Sequence, residues 1–143
     1  MGSDSRQGAA EQGPSGLKGR RILVAEDDWF IADAIAGLLE NAGASVFGPA
    51  ATVAEGAELA QYWPIEIAVM DLDLRGERAD NLVVELAEND ITIVVVTAYE
   101  FQQLVADSAF ATLRKPVTSA TLLDTLHRAA ASLAPMHVSR PRL

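Results

Sequence analysis

The sequence predicts a single doubly wound α/β domain, in which a five-stranded parallel sheet is flanked by five helices. Short apolar runs rich in β-branched residues alternate along the chain with stretches of helical periodicity, and this alternation is typical of βαβ crossovers. Two of the runs, 65–70 and 91–96, are almost continuously apolar, as expected for strands that helices cover on both faces. With 143 residues, of which 50% are hydrophobic, the chain suits one domain with a packed core.

Composition divides the chain into three parts. Residues 1–19 are rich in Gly, Ser and Gln and have no apolar period, so we expect a flexible leader. The alternating pattern fills residues 20–133, the predicted domain, and a short C-terminal tail of residues 134–143 follows it.

Each predicted strand is a short apolar run, and each predicted helix repeats apolar residues every three or four positions. The strands are 22–25, 45–47, 65–70, 91–96 and 109–113. The first helix carries Ile31, Ile35, Leu38 and Leu39 on one face and ends near Gly43; the others span 53–62, 82–88, a short 101–107 and 118–133. Asp28 stands directly before the first helix and is expected to cap it. Trp29 and Trp63 are expected to be partly buried packing residues.

Polar residues follow four of the predicted strands at the point where each strand ends. In a doubly wound sheet the carboxyl ends of parallel strands share one edge, and ligands bind there. We therefore expect the following residues to converge: Glu26, Asp27 and Asp28 after the first strand, Asp71 after the third, Thr97 after the fourth and Lys115 after the fifth.

These side chains suit a phosphoryl group bound beside a divalent metal ion. Carboxylates are hard oxygen ligands of the kind that Mg²⁺, or alternatively Mn²⁺, prefers. The hydroxyl of Thr97 and the ammonium of Lys115 supply the donor and the positive charge that phosphoryl oxygens need. Asp71 ends the most continuously apolar, and hence most central, strand. It is the best placed carboxylate to act as a nucleophile and form an aspartyl phosphate.

Four short motifs carry a resemblance to a known family. They are ILVAEDD at 22–28, MDLDL around Asp71, VTA with Thr97 and RKP with Lys115 and Pro116. In this order and spacing they resemble the receiver domain of the two-component response-regulator family, which has a flavodoxin-like (CheY-like) fold. The similarity covers about residues 20–133.

The resemblance implies a role for each acidic residue. Asp71 would accept the phosphoryl group. Asp27 would ligate Mg²⁺ directly, Glu26 would help, often through water, and the backbone carbonyl of Asp73 would complete the protein ligands. The side chain of Asp73 is expected in a solvated loop, where its charge influences the lifetime of the phosphate.

The resemblance also assigns the other side of the site and exposes two departures from the family pattern. Thr97 would bind a phosphoryl oxygen, Lys115 would pair with the phosphate, and the bond before Pro116 would be cis. Receivers usually carry Phe or Tyr three residues before the Lys as a switch, whereas this chain has Thr112 there; Tyr99 is a candidate substitute. The short interval from Thr97 to Lys115 predicts a shortened fourth helix.

The function implied by the resemblance is that of a stand-alone phosphoacceptor response regulator. It would take a phosphoryl group from a histidine kinase or a histidine phosphotransfer protein and then switch contacts with a downstream protein or a second copy of itself. Its only chemistry would be its own phosphorylation and slow autodephosphorylation, so it would not be a turnover enzyme.

Three alternatives remain open at this point. The chain can be a receiver-like interaction module without phosphoryl turnover, or a receiver excised from a larger regulator or hybrid kinase. The third is a haloacid-dehalogenase-type phosphatase, because Asp71-Leu72-Asp73 resembles the DxD motif of those enzymes.

Charge and composition exclude several other classes of protein. The net charge of −9 argues against non-specific nucleic-acid binding. No apolar run reaches the roughly 18 residues that a membrane span requires, and no signal peptide is visible. The absence of cysteine fits a reducing compartment. We therefore expect a cytoplasmic protein that binds neither nucleic acid nor membrane.

Overall fold

The computed structural model of the chain describes residues 16–133. The predicted tail and residues 1–15 of the predicted leader lie outside the described residues. Residues 16–19 form a turn that buries Leu17 completely against the core. The packed domain therefore begins before residue 20.

The five strands of the main sheet alternate with five helices, as predicted. The strands are β1 (Arg21–Ala25), β2 (Ser45–Ala50), β3 (Ile67–Met70), β4 (Asp73–Leu74), β5 (Glu77–Arg78), β6 (Thr92–Thr97) and β7 (Ala111–Arg114). The helices are α1 (Trp29–Asn41), α2 (Val53–Tyr62), α3 (Asp80–Glu88), α4 (Gln103–Ser108) and α5 (Ser119–Ala131). With six residues, α4 is short, as the interval between Thr97 and Lys115 predicts.

Five of the strands form one parallel sheet in the order β2-β1-β3-β6-β7. Every residue of β3 is buried, and only the first residue of β6 is partly exposed, because these two strands lie inside the sheet with helices on both faces. This confirms the predicted five-stranded doubly wound fold. Among residues 16–133 no helix is long and apolar enough to cross a bilayer.

The side chains of the strands alternate between two cores. Leu23, Met70 and Val95 face a core closed by α2, α3 and α4, whereas Val24 and Val69 face a core closed by α1 and α5. Because both faces are sealed by apolar contacts, the polar residues of the central strands are confined to the strand ends.

A two-stranded antiparallel hairpin, β4–β5, follows β3 and is absent from the predicted elements. Its two-residue turn is Arg75-Gly76, and both residues have positive φ, 53° and 83°, as a type I′ turn requires. Leu72 and Leu74 are at most 1% exposed and anchor the hairpin in the core that α2, α3 and α4 close. The hairpin is therefore held rigidly at the carboxyl edge of the sheet.

The edge strand β2 contains an irregularity at Gly48-Pro49. The register of β2 against β1 shifts between Leu23 and Ala25, and Gly48 has a φ of 104°. A Cβ atom at Gly48 would lie 2.7 Å from the carbonyl oxygen of Val24, so only glycine fits there.

Local signals at the start of α1 give one confirmed and one wrong prediction. Asp28 caps the helix, because its Oδ1 accepts hydrogen bonds from the amides of Phe30 and Ile31 at 3.0 and 3.3 Å. Trp29, predicted as partly buried, is 70% exposed, because the ring of Phe30, on which its indole packs edge-on, is itself 79% exposed. Trp63 is half-exposed and packs on Phe47.

Candidate functional site

The strand register brings the predicted site residues to one edge of the sheet. Ala25 pairs with Met70, and the amide of Asp71 donates to the carbonyl of Ala25 at 2.9 Å. Glu26 and Asp71 therefore begin the loops of two adjacent strands at the same level. On the other side of β3, the amide of Lys115 donates to the carbonyl of Thr97 at 2.9 Å, which continues the β6–β7 ladder.

Three carboxylates form a cluster at this edge. Glu26, Asp27 and Asp71 each contribute an oxygen atom, and these atoms all lie within 4.8 Å of one another. Glu26 is 4% exposed and Asp71 is 8% exposed, whereas Asp27 lies nearer to solvent at the rim. Such a set of hard oxygen donors at close range, partly desolvated, fits a small divalent cation such as Mg²⁺ or Mn²⁺.

Lys115 spans the two buried carboxylates. Its Nζ lies 2.7 Å from Oδ2 of Asp71 and 3.0 Å from Oε1 of Glu26. The second oxygen of each acid is also engaged, because Oδ1 of Asp71 accepts from the amide of Asp73 and Oε2 of Glu26 from the amide of Asp28, both at 3.0 Å. The side chains are thus preorganised, and three carboxylates face one ammonium.

Burial and pairing act in opposite directions on these groups. Burial raises the pKa of Glu26 above its ordinary value, and the hydrogen bonds from Asp28 and Lys115 oppose this rise without cancelling it. Burial alone would lower the pKa of Lys115, but its hydrogen bonds to Asp71 and Glu26 outweigh that effect and raise it. Lys115 therefore stays protonated. Its single positive charge does not balance the three carboxylates, so the site favours the binding of a further cation.

Thr97 lies fully buried at the end of β6. Its Oγ1 accepts a hydrogen bond from the amide of Tyr99 at 3.2 Å, which leaves the hydroxyl proton free to be donated. Tyr99 itself is 59% exposed. Thr112 pairs with Val95, two residues before Thr97 along the ladder, so it is set back from the edge where the acids lie. The Lys115-Pro116 bond is cis, as expected.

The hairpin contacts the site through its first strand and its turn. The amide of Arg75 donates to Oδ2 of Asp27 at 2.7 Å, which fixes the most exposed of the three acids. Asp73 lies in β4 and its Oδ1 accepts from the amide of Gly76 at 2.9 Å. The structure thus places Asp73 in a short strand, partly exposed, and its carboxylate closes the hairpin turn.

One charged residue beside the site was missed from the sequence. Arg78, in β5, pairs across the hairpin with Asp73 and forms a two-pronged contact with Asp80 at 2.8 and 3.2 Å. The sequence signal for this hairpin is Gly76, because glycine readily takes the positive φ that a type I′ turn requires.

The chain is similar in sequence to a curated regulatory protein. The transcriptional regulatory protein PdtaR of Mycobacterium tuberculosis is 30% identical to this chain over 115 residues, which cover 77% of this chain and 56% of that protein. The chain thus spans little more than half the length of this relative. No protein-family model matches the sequence.

Solved structures share the fold. A CheY-like response regulator receiver domain protein from Methanospirillum hungatei JF-1 superposes with a TM-score of 0.74 at 25% identity, over 80% of this chain and 95% of that chain. A response regulator protein from Burkholderia pseudomallei, whose crystal structure contains a phosphorylated aspartic acid, a calcium ion and citrate, gives a TM-score of 0.68 at 29% identity, over 78% and 69%. The chain therefore carries a CheY-like receiver domain of the kind found in response regulators.

Proposed function

We propose that this chain is a phosphoacceptor in two-component or phosphorelay signalling, with Asp71 as the residue that receives the phosphoryl group. The observation that carries the proposal is the position of Asp71 at the end of the central strand β3, with the ammonium of Lys115 at 2.7 Å and two further carboxylates in reach. Few arrangements require a buried carboxylate, an ammonium and an acid cluster together. An acyl phosphate at Asp71 uses all three.

The transfer is a displacement at phosphorus. An oxygen of the Asp71 carboxylate attacks the phosphorus atom of a phosphohistidine, the P–N bond breaks as a P–O bond forms, and the imidazole leaves with the electron pair and takes up a proton. Lys115 is placed to hold the new charge, and the hydroxyl of Thr97 to donate to a phosphoryl oxygen. The donor would be a histidine kinase or a histidine phosphotransfer protein.

The donor set beside Asp71 fits a divalent cation. Glu26, Asp27 and Asp71 offer carboxylate oxygens within 4.8 Å of one another, and the backbone carbonyl of Asp73 is the fourth protein ligand that we assign. When bound, Mg²⁺ or Mn²⁺ supplies positive charge that neutralises the attacking carboxylate and the phosphoryl oxygens. Lys115 remains necessary, because one ammonium and the cation together balance three carboxylates.

A groove beside the site suits the approach of a protein donor. Phe30 and Lys115 line it, with Pro116 at the start of the following loop. Phe30 is 79% exposed, and Lys115 contacts Asp71 directly. A donor whose phosphohistidine reaches Asp71 would therefore cover this apolar surface.

The product would be a signal, with one covalent event per cycle and slow autodephosphorylation, so the chain would not turn over substrates. Output would be a changed contact with a downstream protein in the cytoplasm or with a second copy of the chain. A haloacid-dehalogenase-type phosphatase is disfavoured, because Asp71-Leu72-Asp73 follows β3, the third strand of the chain, whereas those enzymes carry the DxD motif after the first strand.

The test is intact mass spectrometry after incubation with acetyl phosphate, with and without Mg²⁺. We expect one phosphoryl adduct that requires Mg²⁺ and is absent in Asp71→Asn. Asp90→Asn is the matched control: Asp90 is exposed in the turn before β6, at the opposite edge of the sheet, and its positive φ of 67° suits asparagine. An adduct on Asp71→Asn, or none on the wild type when Mg²⁺ binds, would contradict the proposal.

A further inference from the structure

The hairpin places a second cation beside the site. Arg78 pairs with Asp73 in the β4–β5 ladder, and Asp73 donates its amide to the carboxylate of Asp71. Directly paired residues of an antiparallel ladder have Cα atoms only about 5 Å apart and project to the same face. The buried Leu74 and the amide of Ala79, which donates to the carbonyl of Leu72 at 2.8 Å, hold both ends of the hairpin. The backbone position from which the Arg78 side chain extends is thus fixed.

The guanidinium of Arg78 currently joins three segments. Its Nε and Nη2 contact the two oxygens of Asp80 at the start of α3, at 2.8 and 3.2 Å. Nη2 also donates to the carbonyl of Glu100 at 3.4 Å, in the loop three residues beyond Thr97. The carboxylate of Glu100 in turn lies 3.6 Å from Nη2 of Arg114 at the end of β7.

These contacts are suited to exchange. The Arg78 side chain is 44% exposed, and ion pairs at such exposure contribute little to stability. The bond to Asp80 raises the pKa of Arg78, and attraction by the charges of Asp73 and Asp71 raises it further. The guanidinium is therefore already attracted by the acids of the site. Its Nε and Nη2 are occupied by the carboxylate of Asp80.

We propose that Arg78 is a phosphoryl-binding residue, whose guanidinium leaves Asp80 and the carbonyl of Glu100 for the phosphoryl oxygens once Asp71 is phosphorylated. This role rests on the proposed function. Phosphorylation replaces one negative charge at Asp71 by about two and adds oxygens that match the guanidinium fork better than a carboxylate does. The exchange also frees the loop between β6 and α4, so the phosphoryl state of Asp71 is transmitted to Glu100 and Arg114.

The test is titration of the full chain, in Mg²⁺, with beryllofluoride as the phosphoryl mimic, followed by ¹H–¹⁵N NMR. The side-chain Nε–H resonance of Arg78 and the amides around Glu100 should shift on saturation. Arg78→Gln should weaken beryllofluoride binding roughly three- to tenfold, because a charge-assisted contact is lost. Asp80→Asn should tighten it several-fold, because the competing carboxylate is gone. The double variant should bind like Arg78→Gln alone.

The opposite effects of Arg78→Gln and Asp80→Asn on beryllofluoride affinity distinguish this role from a purely structural one. If the Arg78–Asp80 pair only stabilised the hairpin, both substitutions would weaken binding alike, and that result would overturn the proposal. Urea unfolding of each variant checks that the fold is intact, and Arg78→Lys should restore only part of the affinity, since an ammonium lacks the fork. The proposal is also overturned if Arg78→Gln responds to beryllofluoride in the same way as the wild type. No response to beryllofluoride and no adduct from acetyl phosphate would instead overturn the proposed function itself.

Discussion

Replacing Lys115 by methionine tests the electrostatics of the site most directly. The substitution keeps an unbranched side chain but removes the ammonium that contacts Asp71 at 2.7 Å and Glu26 at 3.0 Å. Both carboxylates are more than nine-tenths buried. They would be left close together, with no positive side chain between them.

We expect the free energy of unfolding to fall by about 3 kcal/mol at pH 7 in Mg²⁺-free buffer. This magnitude is typical of the removal of one partner from a buried ion pair. At an effective dielectric constant of about 20, each of the two contacts is worth roughly 6 kcal/mol of attraction. The full sum is not lost, because Lys115 is itself partly desolvated in the folded protein and a carboxylate can protonate or admit water. Added Mg²⁺ should restore more stability to Lys115→Met than to the wild type, because the cation replaces the missing charge.

The destabilisation should depend on pH in a defined direction. Burial raises the pKa of Glu26 in the folded protein. Ionisation of Glu26 therefore destabilises the folded protein as the pH rises from below the unfolded pKa, about 4.3, through the folded pKa. Removing Lys115 takes away a contact that opposes this rise. The difference in the free energy of unfolding between variant and wild type should therefore be smaller near pH 4 than at pH 7. Since the pKa of Lys115 is itself raised, the gap should persist to about pH 10 and close above the folded pKa of the lysine.

Urea unfolding monitored by circular dichroism at pH 4, 7 and 10 measures these differences. Lys18→Met, the same substitution at an exposed lysine, should change stability by less than about 0.5 kcal/mol. If Lys115→Met were as stable as that control at pH 7, or if its destabilisation did not vary with pH, the electrostatic account of the site would be refuted.

Two further substitutions test the local structure. Asp28→Ala removes the N-cap of α1 and should cost about 1 kcal/mol in urea unfolding, with Asp28→Asn near wild type; equal losses in both would show that charge, rather than capping, matters. Leu74→Ala should cost about 2–4 kcal/mol and speed amide exchange at Arg75, which donates to Asp27; unchanged exchange there would show that the buried leucine does not anchor the hairpin.

Most of the fold follows from patterns that are local in sequence. The apolar runs at 65–70 and 91–96 locate the interior strands β3 and β6 to within two residues, because strands that are buried on both faces are continuously apolar. The cap at Asp28 is likewise a one-residue signal. Trp29 was placed wrongly, since whether an indole at a first helical turn is covered depends on the neighbouring segments and not on its own spacing.

The candidate site divides in the same way. Strand ends predict the convergence of Glu26, Asp71 and Lys115, because parallel topology alone brings them to one edge. The contact of Arg78 with the carbonyl of Glu100 was beyond sequence reasoning. It joins residues 22 positions apart, through a hairpin whose only sequence signal is a single Gly, and through a loop whose path depends on the short α4.

The interruption at Gly48-Pro49 has a consequence for how copies of this protein can associate. A free sheet edge offers a row of unpaired amides and carbonyls to a passing strand, and a bulge or a proline in the edge strand breaks that row. The β2 edge carries both, whereas β7, at the other edge, keeps an unbroken register from Ala111 to Arg114. Intermolecular strand pairing, and aggregation that spreads by it, should therefore proceed from the β7 side and stop at β2.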